Sequence, residues 1–306
     1  MSKVVPWLHV YVFSYNRGDF LANCIASIQR HLTNVAVWVV DDRSDDADTQ
    51  TYLRDLPNGI GLLQSQAQES SRHGGLYNNM QLALEHAAGK GAELALFLQD
   101  DMQVVRDVAA DDQANVEGFF AHFTNTAFLN PLFLKGMRKR RDQRITQLAE
   151  DYPVYFRHYP EKANPRGISY ADAMIAHVPR LSEANWQFAN GETVNAEQAD
   201  KLFGKMGMML HPFAMFLPEV PVFRGKKKSW AVAKAEQLRG TKPNRFFGMT
   251  GRQITALKER DVATVLPVAE DFLVTERDAK RPFTYSQINV YPWLRVIHKI
   301  SQKLAK

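Results

Sequence analysis

The sequence predicts an α/β fold in which a mixed, mostly parallel sheet is flanked by helices. Short apolar runs alternate with helical patterns over about the first hundred residues, which is the order expected of strands joined by crossover helices. The runs are apolar at consecutive positions, as buried parallel strands are, and do not alternate with polar residues. Two of them end abruptly in a pair of aspartates. We therefore expect a sheet covered on both faces, with polar residues collected at one edge.

Each element of the first part has its own signal. Strands are predicted at 9–14, 35–40, 60–63 and 94–98, and helices at 18–31 and 76–88. Both helices carry apolar residues at the spacing of one helical face. Asp19 near the start of the first helix suits the positive end of the helix dipole.

Beyond residue 105 the pattern is less regular. Helices are predicted at 107–122, 137–144 and 196–206, and a strand is predicted within 168–178. The second of these helices is very basic and is expected to be exposed. Residues 152–165 are rich in proline and aromatic residues and are predicted to be irregular. Residues 211–223 are apolar, but three prolines interrupt them, so they cannot form one helix.

The composition excludes several classes of protein. The 306 residues are 45% hydrophobic and 23% charged, which is near the average of globular proteins and excludes intrinsic disorder and collagen-like structure. A single cysteine, Cys24, excludes a disulfide framework and favours a reducing compartment. No apolar run has the length of a signal peptide or a membrane span. The sequence therefore predicts a soluble, cytoplasmic protein.

Charge is distributed unevenly and indicates the domain organisation. Residues 224–306 contain 18 Lys and Arg against 7 Asp and Glu, whereas residues 1–223 contain 20 against 26. We predict one domain over 1–225, with halves at 1–105 and 106–225, and a basic extension over 226–306. A basic extension is typical of contact with an acidic partner such as a membrane surface, a phosphorylated acceptor or nucleic acid, although an ordinary solvated surface has the same composition.

Polar residues follow three of the predicted strands. They are Ser14, Tyr15, Asn16 and Arg17 after the first strand, Asp41 and Asp42 after the second, and Asp100 and Asp101 after the fourth. Ligands bind beyond the carboxyl ends of such strands. Carboxylates held close together repel one another, and a divalent cation or a hydroxyl-rich ligand would relieve the repulsion. The alternative is that each aspartate pair only caps a following helix.

Three segments resemble the family 2 glycosyltransferases of GT-A fold, which is Rossmann-like. They are Phe13 to Arg17, Val40 to Asp45 and Leu98 to Met102. They resemble, in order, the Tyr-Asn segment, the Asp-Asp-x-Ser turn and the DxD-type motif of that family, and the similarity covers about residues 8–105. It implies that the first half binds a nucleotide-diphospho-sugar donor and that the second half binds a glycan or lipid-linked acceptor.

The resemblance also implies roles for individual residues. Asp41 would accept hydrogen bonds from the base or ribose, and Asp100 would contact the ribose or sugar hydroxyls. Asp101 would hold Mg²⁺ or Mn²⁺ against the diphosphate, since these ions prefer hard oxygen ligands. Gln99 stands where many members have the first aspartate, which removes one negative charge. The other predicted donor-binding residues are Ser14, Tyr15, Asn16, Arg17, Asp42, Arg72 and Gly75.

An inverting transferase also needs a carboxylate that accepts the proton of the acceptor hydroxyl. In the family this base lies in a Glu-Asp or similar motif that opens a helix, with a glycine about a dozen residues later. Glu197, followed by Gly207, is the nearest match, although Gln198 replaces the usual aspartate. The other candidates are Glu192, Asp200 and Asp172.

Two other functions are compatible with this pattern. A nucleotidyltransferase that makes sugar nucleotides is one, but it would normally carry a glycine-rich basic loop after the first strand. A non-catalytic relative that binds a sugar nucleotide or glycan is the other, and Gln99 and Gln198 favour it. A glycosidase does not account for two separate aspartate pairs.

The last segment of the chain has the pattern of an amphipathic helix. Its apolar stripe consists of Trp293, Val296, Ile297, Ile300 and Leu304, with Arg295, Lys299 and Lys303 off the stripe. Such a helix either lies on an anionic membrane, as a peripheral contact, or packs against the catalytic domain. The basic segment at 137–144 lacks interleaved aromatic residues, so we do not expect nucleic-acid binding there.

Overall fold

The computed structural model describes residues 5–64, 75–158, 165–222 and 226–304. The first part contains β1 (Leu8–Ser14), α1 (Gly18–His31), β2 (Val35–Asp41), α2 (Ala47–Arg54), β3 (Ile60–Gln64), α3 (Leu76–Gly89) and β4 (Leu94–Gln99). All four predicted strands and both predicted helices are confirmed. The short helix α2 was not predicted. Asp46 caps it by accepting a hydrogen bond from the Thr49 amide at 3.1 Å.

The second part is built from shorter elements. They are β5 (Met102–Val104), α4 (Ala110–His122), β6 (Phe128–Asn130), a 3₁₀ turn (Gly136–Arg138) leading into α5 (Lys139–Ile145), β7 (Thr146–Leu148), β8 (Val154–Arg157), β9 (Met174–His177), α6 (Val178–Glu183), α7 (Glu192–Phe203), β10 (Gly207–Met209) and β11 (Ala214–Phe216). The prediction of irregular structure at 152–165 was wrong for β8, which lies inside the sheet. Helix α7 begins four residues before the predicted start at residue 196.

The extension adds α8 (Trp230–Arg239), α9 (Gly251–Glu259), α10 (Ala269–Phe272), a 3₁₀ turn (Gln287–Asn289) and α11 (Pro292–Leu304). It shares a hydrophobic cluster with the preceding residues, in which Phe246, Leu257 and Phe283 pack with Phe20 and Val105. Residues 226–304 therefore complete the core of the chain instead of standing apart from it.

The main sheet has the order β3-β2-β1-β4-β9-β6-β10-β8-β7. Strands β3, β2, β1 and β4 are parallel, and β9 is inserted antiparallel between β4 and β6. A separate antiparallel pair joins β5 to β11. The register pairs Ser14 with Asp41 and Phe13 with Gln99. The carboxyl ends of β1, β2 and β4 therefore meet at one edge, as predicted.

Both faces of the parallel strands are covered. Val10 and Val12 of β1 pack in one cluster with residues of α1, whereas Tyr11 and Phe13 pack in another with residues of α3. Successive side chains of a strand point to opposite faces, so a run without alternating polarity is what a doubly covered strand requires.

A buried ion pair fixes the segment that follows the carboxyl edge. Arg106 is fully buried and donates two hydrogen bonds, at 2.7 and 2.8 Å, to the carboxylate of Asp112 in α4. It also donates to the carbonyl of Pro212 at 3.0 Å and to that of His211. One guanidinium thus joins the end of β5, the first turn of α4 and the loop before β11.

We expect Arg106→Met to lower the free energy of unfolding by about 3–5 kcal/mol, because it leaves the Asp112 carboxylate buried without its partner. Urea denaturation measures this difference. Lys139→Met is the matched control, since Lys139 forms an exposed pair with Asp271 at 2.8 Å and should cost less than about 1 kcal/mol. Equal, small losses in both variants would contradict the anchoring role of Arg106.

Candidate active site at the carboxyl edge of the sheet

Backbone hydrogen bonds hold three loop segments together at the edge. The Asp42 amide donates to the Ser14 carbonyl at 2.9 Å, and the Asp100 amide donates to the Phe13 carbonyl at 2.9 Å. The backbone hydrogen bonds that join β1 to β2 and β1 to β4 therefore continue one residue beyond the ends of β2 and β4. We call the residues Ser14–Arg17, Asp41–Asp46 and Asp100–Asp101 the donor edge.

Asn16 ties the first segment of the donor edge to the second. Its amide group donates to the Asp45 carboxylate at 2.6 Å, and its side-chain oxygen accepts from the backbone amides of Asp45 and Asp46 at 2.9 and 3.2 Å. Asn16 is fully buried and has a φ of 51°, a conformation in which asparagine is enriched. It therefore shapes the loop.

Asp41 and Asp42 have different surroundings. Asp41 is buried, and its two oxygens accept from the Ser44 amide at 2.8 Å and the Ser44 hydroxyl at 2.6 Å. Burial raises the pKa of Asp41, and the bonds from Ser44 oppose that shift. Asp42 accepts from the Gly75 amide at 2.6 Å. A Cβ at Gly75 would lie 2.0 Å from an Asp42 oxygen, so a larger residue there would displace the Asp42 carboxylate.

Arg17 pairs with both aspartates that follow β4. Its Nη1 donates to Asp100 Oδ1 at 3.2 Å and to Asp101 Oδ2 at 2.9 Å. The residue after it, Gly18, would bring a Cβ within 2.9 Å of the Thr49 backbone, so the start of α1 can approach α2 this closely only with glycine. Burial raises the pKa of Asp100, and the Arg17 guanidinium opposes that shift.

The carboxylate of Asp101 has one oxygen available for a ligand. Asp101 Oδ2 accepts from Arg17, whereas Asp101 Oδ1 is buried with no hydrogen-bond partner among the described residues. Within those residues no group of three or more His, Cys, Asp and Glu could hold a metal by itself. A Mg²⁺ or Mn²⁺ ion needs only one or two carboxylates when phosphate oxygens complete its ligands. Asp101 Oδ1 fits that requirement.

A cleft of about 480 Å³ begins at Gln99 and extends into the second half of the chain. Gln99 and Asp172 both line it. The antiparallel register of β4 and β9 ends with the pair Phe97 and Met174, so Gln99 and Asp172 both lie just beyond the same end of this pairing. The inserted strand β9 thus places a carboxylate next to the donor edge.

Asp172 is a carboxylate whose surroundings disfavour its charge. The Tyr77 hydroxyl donates to Asp172 Oδ2 at 3.3 Å, and Asp172 Oδ1 is buried without a partner among the described residues. Burial raises the pKa of Asp172 to about 7, and the nearby charge of Glu192 contributes to the rise. Such a group is ready to accept a proton near neutral pH.

Glu192 also lines the cleft. Like Asp172, it was one of the alternative candidates for the general base. It is the first residue of α7, and it lies 3.5 Å from Arg166. Burial raises the pKa of Glu192, and the positive charges of Arg166, Arg138 and Lys135 oppose the shift.

Glu197 and Asp200 do not line the cleft. Both are exposed on α7, and Asp200 accepts from the Ser169 hydroxyl at 2.7 Å. The helix begins at Glu192 and not at residue 196, so the acidic residue that opens it is Glu192. Gly191 directly precedes Glu192 and is the N-cap of the helix. Glycine is among the residues favoured at that position, so Gly191 was the sequence signal for a helix that begins at Glu192. Arg72 lies outside the described residues.

Sequence reasoning did not single out Lys135. Its ammonium group lies 4.2 Å from the ring centre of Phe216 and 4.3 Å from that of Tyr285. Burial lowers the pKa of Lys135 to about 8, whereas the charges of Asp101 and Glu192 oppose this shift. Lys135 is therefore within electrostatic range of both the donor edge and the acidic residues of the cleft.

Comparison with solved structures gives matches of low identity. TarS residues 1–349 from S. aureus is 15% identical, with a TM-score of 0.43 over 68% of this chain and 60% of that one. TarS from S. aureus is 14% identical, with a TM-score of 0.44 over 68% and 36%. The mannosyltransferase PcManGT from Pyrobaculum calidifontis, in complex with GDP-Man and Mn²⁺, is 17% identical, with a TM-score of 0.47 over 76% and 62%. This chain spans less than two thirds of the length of each.

No curated protein sequence matches the chain. Residues 9–111 match the sequence model of Glycosyl transferase family 2. This region runs from β1 into the start of α4 and includes all three segments of the donor edge. Residues 9–111 are therefore similar to Glycosyl transferase family 2.

Proposed function

We propose that the protein transfers a sugar from a nucleotide-diphospho-sugar to a hydroxyl group of a glycan or lipid-linked acceptor, with inversion at the anomeric carbon. The observation that carries this proposal is the cleft, because it leads from Gln99 beside the donor edge to the carboxylates of Asp172 and Glu192. Donor and acceptor bound at its two ends would meet near Asp172.

The donor edge would bind the nucleotide and its diphosphate. Asp41 would accept hydrogen bonds from the base or ribose with the lone pairs that Ser44 does not use. Asp101 would hold Mg²⁺ or Mn²⁺ through Oδ1, and the ion supplies positive charge that stabilises the departing diphosphate. Arg17 keeps Asp100 and Asp101 in place by pairing with both of them.

Asp172 would act as the general base. The acceptor oxygen forms a bond to the anomeric carbon while the bond from that carbon to the diphosphate oxygen breaks, and the hydroxyl proton passes to Asp172 Oδ1. The buried Oδ1 has no other partner among the described residues, and Tyr77 fixes the opposite oxygen. Glu192 lies in the same cleft and is the competing candidate because it opens α7.

We expect Asp101→Ala to lose metal-dependent release of nucleoside diphosphate while it keeps the fold, because removal of one of two neighbouring carboxylates relieves repulsion. A coupled assay of nucleoside-diphosphate release with Mn²⁺, Mg²⁺ or EDTA measures activity, and thermal unfolding measures stability. Asp107→Ala is the matched control, since the Asp107 side chain is 75% exposed. Full metal-dependent activity in Asp101→Ala would reject the metal-ligand assignment. Release of pyrophosphate in place of nucleoside diphosphate would indicate a nucleotidyltransferase.

Asp172→Asn should abolish transfer while leaving donor affinity unchanged. In the unmodified protein, activity should rise with pH through about 7, because a base must be ionised and burial raises the pKa of Asp172 to about 7. Glu192→Gln should shift this rise to lower pH, since the charge of Glu192 helps to raise the pKa. A pH profile of kcat tests both statements.

Glu197→Gln is the matched control for these variants, because Glu197 is exposed on the same helix as Glu192. It should leave both kcat and the pH profile unchanged. If Glu192→Gln abolishes transfer and Asp172→Asn does not, Glu192 is the base. Loss of activity in Glu197→Gln alone would return the role to Glu197.

We also propose that the extension attaches the enzyme to an anionic membrane. Leu294 of α11 is buried against Ala231 and Ala235 of α8, so the helix is held through one side only. The stripe on its other side is exposed: Trp293 by 49%, Val296 by 58%, Ile297 by 38% and Ile300 by 53%. Trp230 of α8 is 63% exposed, and its ring centre lies 6.4 Å from that of Trp293.

Basic side chains border this apolar surface. Arg295, Lys299 and Lys303 of α11 are exposed, as is Lys227 before α8. Apolar residues with two indoles, flanked by Lys and Arg, are the pattern of a helix that lies in a membrane interface. Each such cation contributes about 1 kcal/mol near an anionic leaflet. No helix within the described residues has the length and apolarity needed to cross a bilayer.

Trp293→Ser/Ile300→Ser should reduce co-sedimentation of the full chain with vesicles of phosphatidylcholine and phosphatidylserine by about tenfold, because two apolar side chains no longer enter the interface. Val265→Ser/Val274→Ser is the control, since these valines are 42% and 47% exposed elsewhere on the extension. It should bind like the unmodified chain. Equal binding by all three proteins, or binding that does not depend on phosphatidylserine, would contradict the attachment.

A further inference from the structure

The cleft is lined by more cationic side chains than carboxylates. Its cationic lining consists of Lys135, Arg138, Arg141, Arg157 and Arg166. Two of these are paired: Arg157 lies 3.1 Å from the buried Asp142, and Arg166 lies 3.5 Å from Glu192. The remaining three lack a carboxylate within ion-pair distance in the part of the chain that the structure describes. We call Lys135, Arg138 and Arg141 the free cations of the cleft.

Of the three free cations, Lys135 is the one connected to the donor edge through its ring contacts. Lys135 packs against Phe216 and Tyr285, and Phe216 is paired with Met102, the residue after Asp101, in the β5–β11 ladder. Arg138 ends the 3₁₀ turn and Arg141 lies in the first turn of α5. Asp142, next to Arg141, is fixed by its pair with Arg157 of β8. The two arginines line the cleft and also the neighbouring hollow.

Cations without partners that are held close together repel one another, and a bound anion would remove that repulsion. A phosphate group suits this arrangement because a guanidinium offers a planar, two-pronged donor that matches phosphate oxygens. The donor's own diphosphate is one source of phosphate, and Lys135 is placed to contact it. Arg138 and Arg141 line the cleft together with Asp172 and Glu192, the carboxylates to which the proposed function brings the acceptor.

We propose that Arg138 and Arg141 bind a phosphate group of the acceptor, so that the acceptor is phosphorylated and not a neutral glycan. The inference rests on the proposed function, since it assigns the acceptor of that reaction. It names the chemical class that the cleft selects: a hydroxyl-bearing molecule whose phosphate lies within reach of the hydroxyl to be glycosylated.

The test uses inorganic pyrophosphate as the probe and isothermal titration calorimetry of the full chain in EDTA. Without a divalent ion, the acidic donor edge should not retain the probe. Arg138→Gln/Arg141→Gln should weaken pyrophosphate binding by about tenfold or more, because each lost guanidinium removes a charge-assisted hydrogen bond. Arg140→Gln/Arg144→Gln is the matched control, since it removes the same charge from the neighbouring hollow, which all four arginines line, but not from the cleft. It should change binding by about twofold at most.

Several results would overturn the inference. They are the absence of pyrophosphate binding by the unmodified chain, an equal loss in both double variants, and a loss in Arg17→Gln while Arg138→Gln/Arg141→Gln binds normally. The last result would place the phosphate at the donor edge. Circular dichroism of each variant shows whether it is folded. If a double variant is unfolded, Arg138→Gln and Arg140→Gln alone form the same comparison.

This experiment needs neither donor nor metal, so it is independent of the assays of Asp101 and Asp172. Pyrophosphate binding at Arg138 and Arg141 without any glycosyl transfer would reject the proposed function and leave an anion site. Transfer without such binding would reject only the phosphorylated acceptor.

Discussion

Asp100 and Asp101 are held almost out of water at the end of β4, and one guanidinium, that of Arg17, meets both of them. Two neighbouring carboxylates repel each other strongly when they are buried, so they require a cation. The neighbouring residues place the Arg17 guanidinium where it meets both carboxylates. Gly18 lets α1 start close to α2, Asn16 fixes the loop before Arg17, and the register of β1 with β4 brings that loop beside Asp100. In the proposed function, a bound diphosphate and divalent ion would change the charge balance that Arg17 sets.

The second half of the site depends on a change of strand direction. Strand β9 enters the sheet antiparallel to β4, so its beginning, and not its end, lies at the carboxyl edge. Asp172 precedes that strand and therefore comes next to Gln99, where an acceptor hydroxyl could meet the donor sugar. Glu192 reaches the same cleft from α7, and Arg138 and Arg141 reach it from the segment around α5. Residues that are far apart in sequence thus line one cleft.

The parallel half could be predicted from sequence because each of its strands is a continuous apolar run and each ends at a polar turn. Asp41, Asp100 and Asp101 were placed at one edge of the sheet on this basis. The acceptor half could not be predicted in the same way. Strands such as β8 are only four residues long and lie among prolines and aromatic residues. Helix α7 begins at Glu192 with Thr193 and Asn195, which are weak helix formers, so its start was placed too late and Glu197 was preferred. Asp172 could be ranked above Glu197 only once the register of β4 and β9 was known.

The central claim is that donor and metal bind at the edge formed by β1, β2 and β4. Crystals grown with Mn²⁺ and a sugar nucleotide that raises the melting temperature would test it most directly, through anomalous scattering at the manganese edge. UDP-, GDP- and dTDP-sugars are the panel from which to choose the nucleotide, since a specific ligand stabilises the folded state by mass action. The account predicts an anomalous peak beside Asp101 Oδ1, with the diphosphate next to it and the sugar directed toward Asp172. A nucleotide bound elsewhere, or a manganese peak away from Asp101, would contradict the account.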